Sequence, residues 1–333
     1  MRNIDLNQRA AFTIFTATYN RAPLLHRAYK SLQAQTLRDF EWIVGDDGST
    51  DETAELIKKW QRESDFTIRY FFQEHAGKNF VFNRGVREAS GEYFAELASD
   101  DALKPDALER AALNWKKISE PDRKHYFAIM FSCEDETGRI VGPLFDETPC
   151  DYDFRSFNYS RKYRSEKWQC FRTEVLAMYP FREDVPKDCH IFESTVFCEI
   201  AKKYKARFVN DVARIYFLDG PSLTRGPKHP MKNLEGLRLS ICYTLNNDLD
   251  FFFRRPIHFL QKSMNFARFS MHYGLSPAEQ ISSLMTFPAR LLWLLTFLAA
   301  IAAFGFDIMR GRTPEAAERA EQPQIHNPAK PAT

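Results

Sequence analysis

Between residues 10 and 120, short β-rich runs alternate with stretches of helical periodicity, and this alternation limits the possible folds more than any other feature. Residues 12–18 (FTIFTAT), 41–44 (EWIV), 68–72 (IRYFF) and 93–97 (YFAEL) are rich in residues that suit a pleated, buried surface. Between them, Pro23 opens a helix with Leu24, Leu25, Ala28 and Leu32 on one face, and residues 52–62 form another through Ala54, Leu56, Ile57 and Trp60. Further helices are expected at 79–89 and from Pro105 through Leu108, Ala112 and Trp115. Strands separated by single helices suit right-handed crossovers, so the first ~120 residues predict an α/β fold with a mostly parallel sheet flanked by helices.

Beyond that point the pattern is looser. Residues 126–132 predict a strand, and 139–141 follow a turn at Thr137-Gly138. Residues 145–165 read as an aromatic loop, 190–204 as a helix, 206–218 as one or two strands and 219–230 as a loop, with helices at 231–247 and 256–272.

Two strand ends carry acids. "IVGDDGSTDET" (43–53) runs from apolar residues into Asp46, Asp47, Asp51 and Glu52, and the strand at 93–97 leads into Asp100-Asp101. The bland reading is local: Asp-Asp-Gly breaks the strand, Ser49 or Thr50 caps the next helix, and Asp51 and Glu52 favour its positive end. The functional reading is that both pairs meet at the carboxyl edge of a parallel sheet, where ligands of open α/β sheets bind. Clustered carboxylates repel unless a cation or hydrogen-bond donors compensate. Hard divalent cations such as Mg2+ or Mn2+ take carboxylate oxygens and keep positions open for phosphates, which points to a metal-bridged diphosphate. No P-loop pattern and no G-x-G-x-x-G is present.

Composition narrows the class further. The chain has 333 residues and a net charge of +2, too balanced for nucleic-acid binding by bulk electrostatics. Its six cysteines are scattered without a C-x-x-C, so neither a disulfide framework nor a zinc site is expected and a reducing cytosol fits. The opening MRNIDLNQRAAF has no apolar signal core. Residues 291–306 contain no charge, and Arg290, Arg310 and Arg312 flank them. Those 16 residues span roughly 24 Å as a helix against a hydrocarbon core of about 30 Å, short for a perpendicular crossing. Basic flanks attract anionic headgroups, so this segment is expected to hold the chain to a membrane surface as a shallow or tilted helix. The expected organisation is an α/β domain at 1–228, a helical extension at 229–286, the apolar segment at 287–312 and a disordered tail at 313–333.

With the stretches "TATYNRAPLLHRAYKSLQAQTLRDFEWIVGDDGSTDET", "HAGKNFVFNRGVREASGEYFAELASDD" and "CHIFESTVFCEIAKKYKARFVNDVARIYF" in order, the sequence resembles family 2 glycosyltransferases of the GT-A fold across most of residues 12–225. The resemblance implies an inverting sugar transfer from a nucleotide-diphosphate sugar, a UDP-sugar being favoured, to a hydroxyl of a glycan or lipid-linked acceptor. It implies that Ala17, Thr18 and Tyr19 cup the nucleotide base, and that Asp47, with Asp46 beside it, hydrogen-bonds the base. Lys78 would lie near the base or diphosphate, Asp100 at the ribose, Asp101 on a Mn2+ or Mg2+ ion, and Glu193 at the position of the general base. The chain departs from the family pattern at Ala17, where a proline is usual, at Ala98, where the metal motif has a first acid, and at Phe192-Glu193, where the family usually reads Glu-Asp.

Helical spacing puts Glu193 on a stripe with Phe197, Ala201 and Tyr204, so its carboxylate needs a partner or a cleft; Asp188 and Glu199 are the rival bases. Trp168 is read as core or as an acceptor platform, Asn83 and Gly85 as structural, and His75 is left open. The expected place is the cytosolic face of the membrane, in bacterial surface glycan assembly. The competing functions are an inactive nucleotide-sugar-binding accessory protein and a nucleotidyltransferase, which would need a glycine-rich basic N-terminal loop that the sequence lacks.

Overall fold

The computed structural model describes residues 10–218, 231 and 233–314. The chain divides into two compact units, residues 1–221 and 222–333. The expected loop at 219–230 and most of the expected tail, 315–333, lie outside the described residues, as does the N-terminal stretch 1–9.

The first unit realises the alternation: β1 (Phe12–Thr18), α1 (Ala22–Gln33), β2 (Phe40–Asp46), α2 (Thr53–Glu63), β3 (Thr67–Phe72), α3 (Lys78–Glu88) and β4 (Tyr93–Glu96) follow one another. Next come β5 (Ala102–Leu103), α4 (Ala107–Lys116), α5 (Glu120–Arg123), β6 (Tyr126–Asp135), β7 (Cys150–Tyr152), α6 (Phe154–Asn158), β8 (Lys167–Arg172), α7 (Thr173–Ala177), α8 (Glu193–Ile200) and β9 (Lys205–Tyr216). The strands form one sheet in the order β3-β2-β1-β4-β8-β6-β9-β5, with β7 on β9. β1 to β4 pair parallel, while β8 pairs antiparallel with both β4 and β6, so the sheet is mixed beyond the first four strands.

β2 is buried along its whole length, as a central parallel strand covered on both faces must be. On one face Tyr29 stacks on Trp60 at 4.2 Å between ring centroids, with Trp42 beside them. On the other, Phe15 packs edge-on to Phe82 and stacks on Phe94. Gly85 lets α3 approach this close: a Cβ there would meet the Phe15 ring at 2.3 Å. Gly85→Ala gains up to about 1 kcal/mol of helix propensity but overpacks a buried ring at a cost of about 1–3 kcal/mol. Thermal denaturation should show a lower melting temperature, and an unchanged one would mean that the ring gives way freely.

Three expectations need correction. The loop expected at 145–165 contains β7 and α6, whose Phe154 and Phe157 are buried; short elements held by aromatic packing leave no periodic signal. The helix expected at 190–204 is the shorter α8. Neither Ser49 nor Thr50 caps α2, whose N-cap is Glu52 without a side-chain bond.

The second unit is helical: α9 (Leu234–Asn247), a 3-10 turn (Leu249–Arg254), α10 (Pro256–His272), α11 (Pro277–Ser282) and α12 (Phe287–Met309). Polar contacts pin one face of α12. Thr296 and Ser263 share a buried hydrogen bond (2.8 Å), and Trp293 Nε1 donates to Gln280 (3.1 Å). Arg268 donates twice to the buried Asp307 (2.5 and 2.7 Å), with His272 at 3.1 Å. The uncharged run at 291–306 is therefore the middle of a longer, two-faced helix.

Candidate active site

The acids after β2 and β4 do reach one edge of the sheet, on either side of β1. Asp46 is in register with Thr18, and the Leu97 N–H donates to the Phe15 carbonyl (2.8 Å), so the turn after β4 leaves level with the end of β1.

Most of the first acid cluster is spent on building loops. Asp46 is fully buried; its carboxylate accepts from the Ser49 N–H (2.8 Å) and the Tyr70 hydroxyl (2.8 Å). Asp47 accepts from Gln73 Nε2 (2.8 Å), from the N–H groups of Ala76 (3.1 Å) and Gly77 (2.8 Å), and lies 2.9 Å from His75 Nδ1. Asp51 accepts from the Ala22 N–H (3.0 Å) and Thr53 Oγ1 (2.6 Å). Asn20, at a left-handed φ of 52°, donates through its N–H to Ser49 Oγ and accepts from the Thr50 N–H. The crowding of acids thus ties the turns after β1, β2 and β3 into one rim, because each turn presents N–H groups that no strand satisfies.

His75 closes that rim. Its Nε2 lies 2.8 Å from Asp188 Oδ1, and its ring stacks on the exposed Tyr19 (4.1 Å, 14° between planes). The Asp188 N–H also donates to the Ala76 carbonyl, so the segment leading into α8 is fastened beside the start of α3. Of the other residues of the first loop, Ala17 is half-buried, and Thr18 is buried with its hydroxyl making no hydrogen bond.

After β4 the acids divide. Asp100 pairs with Arg21 at 3.0 Å. Asp101 is 1% exposed; Oδ1 accepts from the Phe217 N–H (3.2 Å), while Oδ2 has no hydrogen-bond partner and lies 3.5 Å from Arg214 Nη1. Arg214 also pairs with Glu166 at 2.6 Å. Burial pushes the Asp101 carboxyl up to about 6 despite the pull of Arg214. Among the described residues no three His, Cys, Asp or Glu side chains form a ready-made metal cage. Asp101 with its orphaned oxygen still fits the pattern of Mg2+-type ions, which take one or two carboxylates and complete their shell with phosphates and water.

Glu193 begins α8, and Lys78 begins α3. Lys78 Nζ lies 2.7 Å from Glu193 Oε1 and 3.0 Å from Glu96 Oε1. All three keep part of their surface open, with side-chain exposures of 30% for Lys78, 36% for Glu193 and 17% for Glu96. The ammonium of Lys78 holds Glu193 below the usual carboxylate range against the effect of burial. Burial, with Glu193 nearby, pushes Glu96 up despite Lys78. Burial works against the Lys78 charge, but the two carboxylates win and keep it protonated.

The rivals for the role of base are placed differently. Asp188 is 65% exposed and tied to His75, and Glu199 pairs with Lys202 on the surface. Trp168 is fully buried, its Nε1 donating to the Glu96 carbonyl, so it belongs to the core. Asn83 is structural, bonding the backbone of Phe181 twice. Sequence reasoning missed Arg21, Glu96, Glu166 and Arg214. Glu96 had a signal, a lone charge inside the apolar strand "YFAEL".

Comparison with known proteins gives the family and the fold. The sequence model described as Glycosyl transferase family 2 matches residues 13–181. A Campylobacter jejuni protein named GalNAc(5)-diNAcBac-PP-undecaprenol beta-1,3-glucosyltransferase is 27% identical over 210 residues, covering 61% of this chain and 63% of the relative. An uncharacterized glycosyltransferase of Nostoc is 39% identical over 98 residues, or 29% of this chain and 30% of the relative. The chain thus spans less than two thirds of these relatives. In three dimensions it is similar to S. aureus TarS 1-349 in complex with UDP-GlcNAc, with a TM-score of 0.56 and 20% identity over 93% of this chain and 90% of the other. Mannosyltransferase PcManGT from Pyrobaculum calidifontis, in complex with GDP-Man and Mn2+, gives a TM-score of 0.53 at 20% identity over 94% and 87%. At these identities the structural likeness speaks for the fold.

Proposed function

The chain belongs to glycosyl transferase family 2, and on that premise we propose that it transfers a sugar from a nucleotide-diphosphate donor to a hydroxyl acceptor with inversion, in the assembly of a bacterial surface glycan. The observation that carries this reading is Glu193, an ionised, part-open carboxylate held by Lys78 where one unit brings α3, β4 and α8 together.

In this reading the exposed Tyr19, backed by His75, offers a flat face to the nucleotide base, with Ala17 and Thr18 beneath it. Asp46 and Asp47 shape the rim that receives the base; Asp47 is the nearer of the two to the turn at 75–77. Asp100, oriented by Arg21, meets the ribose. Asp101, through Oδ2, would hold a divalent cation, Mn2+ or Mg2+, which when bound neutralises the leaving diphosphate as a Lewis acid. Glu193 takes the acceptor hydroxyl's proton as that oxygen attacks the anomeric carbon, and a single displacement inverts the configuration.

A UDP-sugar is the favoured donor, given a structural neighbour described with UDP-GlcNAc, although another is described with GDP-Man. A glycan or lipid-linked acceptor is supported by the name of the Campylobacter relative. The acceptor then lies at a membrane, which suits a catalytic unit at the cytosolic face held peripherally through residues 287–312.

Calorimetry with UDP and with GDP, each with and without Mn2+, tests the donor side. One nucleotide should bind more tightly with Mn2+, and Asp101→Asn should abolish that gain while keeping the metal-free affinity. A mutant with wild-type metal-dependent affinity would remove Asp101 from the metal site.

A further inference from the structure

Lys78 is expected from the resemblance to lie near the base or diphosphate, yet its ammonium is taken by two carboxylates, Glu193 at 2.7 Å and Glu96 at 3.0 Å. Glu96 sits at the end of β4 between buried Ala95 and Leu97, and the Trp168 indole fixes its backbone carbonyl. A charged side chain in such a strand is costly unless it is paired. Lys78 pairs it, but one ammonium then serves two acids.

We propose that Lys78 and Glu96 are positioning residues for the transfer: Lys78 aims Glu193 and holds it ready, while Glu96 shares the ammonium so that Lys78 stays paired when Glu193 takes up the acceptor's proton. This rests on Glu193 being the base. The physical reason lies in the charges before and after the step. Glu193 alone with Lys78 would be a closed ion pair, and protonating it would leave an ammonium without a counter-charge in a partly desolvated site, which is strongly unfavourable. With Glu96 present, the proton passes from the acceptor hydroxyl to the Glu193 carboxylate and the Lys78–Glu96 pair remains balanced. Meanwhile the acceptor oxygen bonds to the anomeric carbon, and the bond to the diphosphate breaks with its electron pair leaving on the phosphate. Lys78 engages Glu193 Oε1, which leaves Oε2 as the oxygen for that proton.

The charged groups facing Glu193 are Lys78 from α3, Glu96 from β4, His190 just before α8, and Arg214 from β9. Of these, Glu96 alone opposes ionisation of Glu193. The two partners therefore act with opposite sign: removing the Glu96 charge should make Glu193 easier to ionise, and removing Lys78 should make it harder.

Carboxyl carbon-13 NMR on the full chain labelled at glutamate Cδ reads this directly, the Glu193 resonance being assigned by its loss in Glu193→Gln. Glu96→Gln should move the Glu193 titration to lower pH and Lys78→Gln to higher pH, with Lys78→Arg close to wild type. A Glu193 titration unmoved by Glu96→Gln, or moved in the same direction by Glu96→Gln and Lys78→Gln, would overturn the proposal. If Lys78→Gln does not fold, Glu96→Gln decides alone, since it keeps the size of the side chain. Full turnover in Glu193→Gln would instead defeat the assignment of the base, whatever the titrations show.

Discussion

Glu193→Gln is expected to bind donor nucleotide normally and to transfer sugar about 10²–10⁴-fold more slowly, the range typical of a lost general base. Glutamine keeps the size of the side chain and can still accept a bond from Lys78, so the 2.7 Å contact and the fold around it should survive. It cannot take a proton. The wild-type carboxylate is held below its ordinary range mainly by the Lys78 ammonium, so it is ionised and ready at neutral pH. The rate should therefore be level around neutrality and fall as the pH drops far enough to protonate Glu193. Asp188→Asn is the control. Asp188 faces His75, and its loss should loosen the rim without removing the base. The donor is chosen by thermal-shift screening of nucleotide sugars with Mn2+, and turnover is then measured for both variants. If Glu193→Gln keeps full turnover and Asp188→Asn loses it, the base is Asp188.

Replacing Leu294, Leu295 and Leu298 together with Gln should release the protein from anionic vesicles. These side chains are 63%, 69% and 79% exposed on α12, and Phe253, Ile257 and Leu260 add a second exposed apolar stripe before and along α10. Burying a leucine in an apolar phase is worth about 1.5–3 kcal/mol, so three of them in lipid supply several kcal/mol, or a drop of more than about 100-fold in partitioning when lost. Arg254, Arg290, Arg310 and Arg312 are exposed near the ends of these stripes, where anionic headgroups would meet them. α12 is long and apolar enough to cross a bilayer by length, but its other face holds Thr296 and Asp307 against α10. Turning that face to lipid would break the Asp307 pair with Arg268 in the hydrocarbon core, so a helix lying in the interface with one face on α10 is favoured over a lone crossing. Truncation at 287 would uncover the α10 face, so the surface triple variant is the cleaner probe. Flotation with vesicles containing phosphatidylglycerol, in which wild type rises with the lipid and the variant stays below, is the expected result. A variant that floats like wild type would mean that this face does not meet the membrane.

The parallel half of the fold was readable from the chain because its signals are local. β1, β2 and β4 read as short, nearly continuous buried runs and α1, α2 and α3 as helices with one buried face, and Asp-Asp-Gly and Pro23 mark joints between them. The family motifs likewise mark Asp101 and Glu193 as positions along the chain. What the acids do was not readable. Asp46, Asp47 and Asp51 look alike in sequence, yet the fold sets each against a particular donor: Tyr70, the N–H groups of the turn at 76–77, and the Ala22 N–H. The Glu96–Lys78–Glu193 group joins residues 18 and 115 positions apart along the chain. No period or spacing connects them. They meet because β4, α3 and α8 converge at one sheet edge, and a carboxylate's protonation and reach depend on which charges lie within a few ångströms of it, a distance that only the packed chain sets.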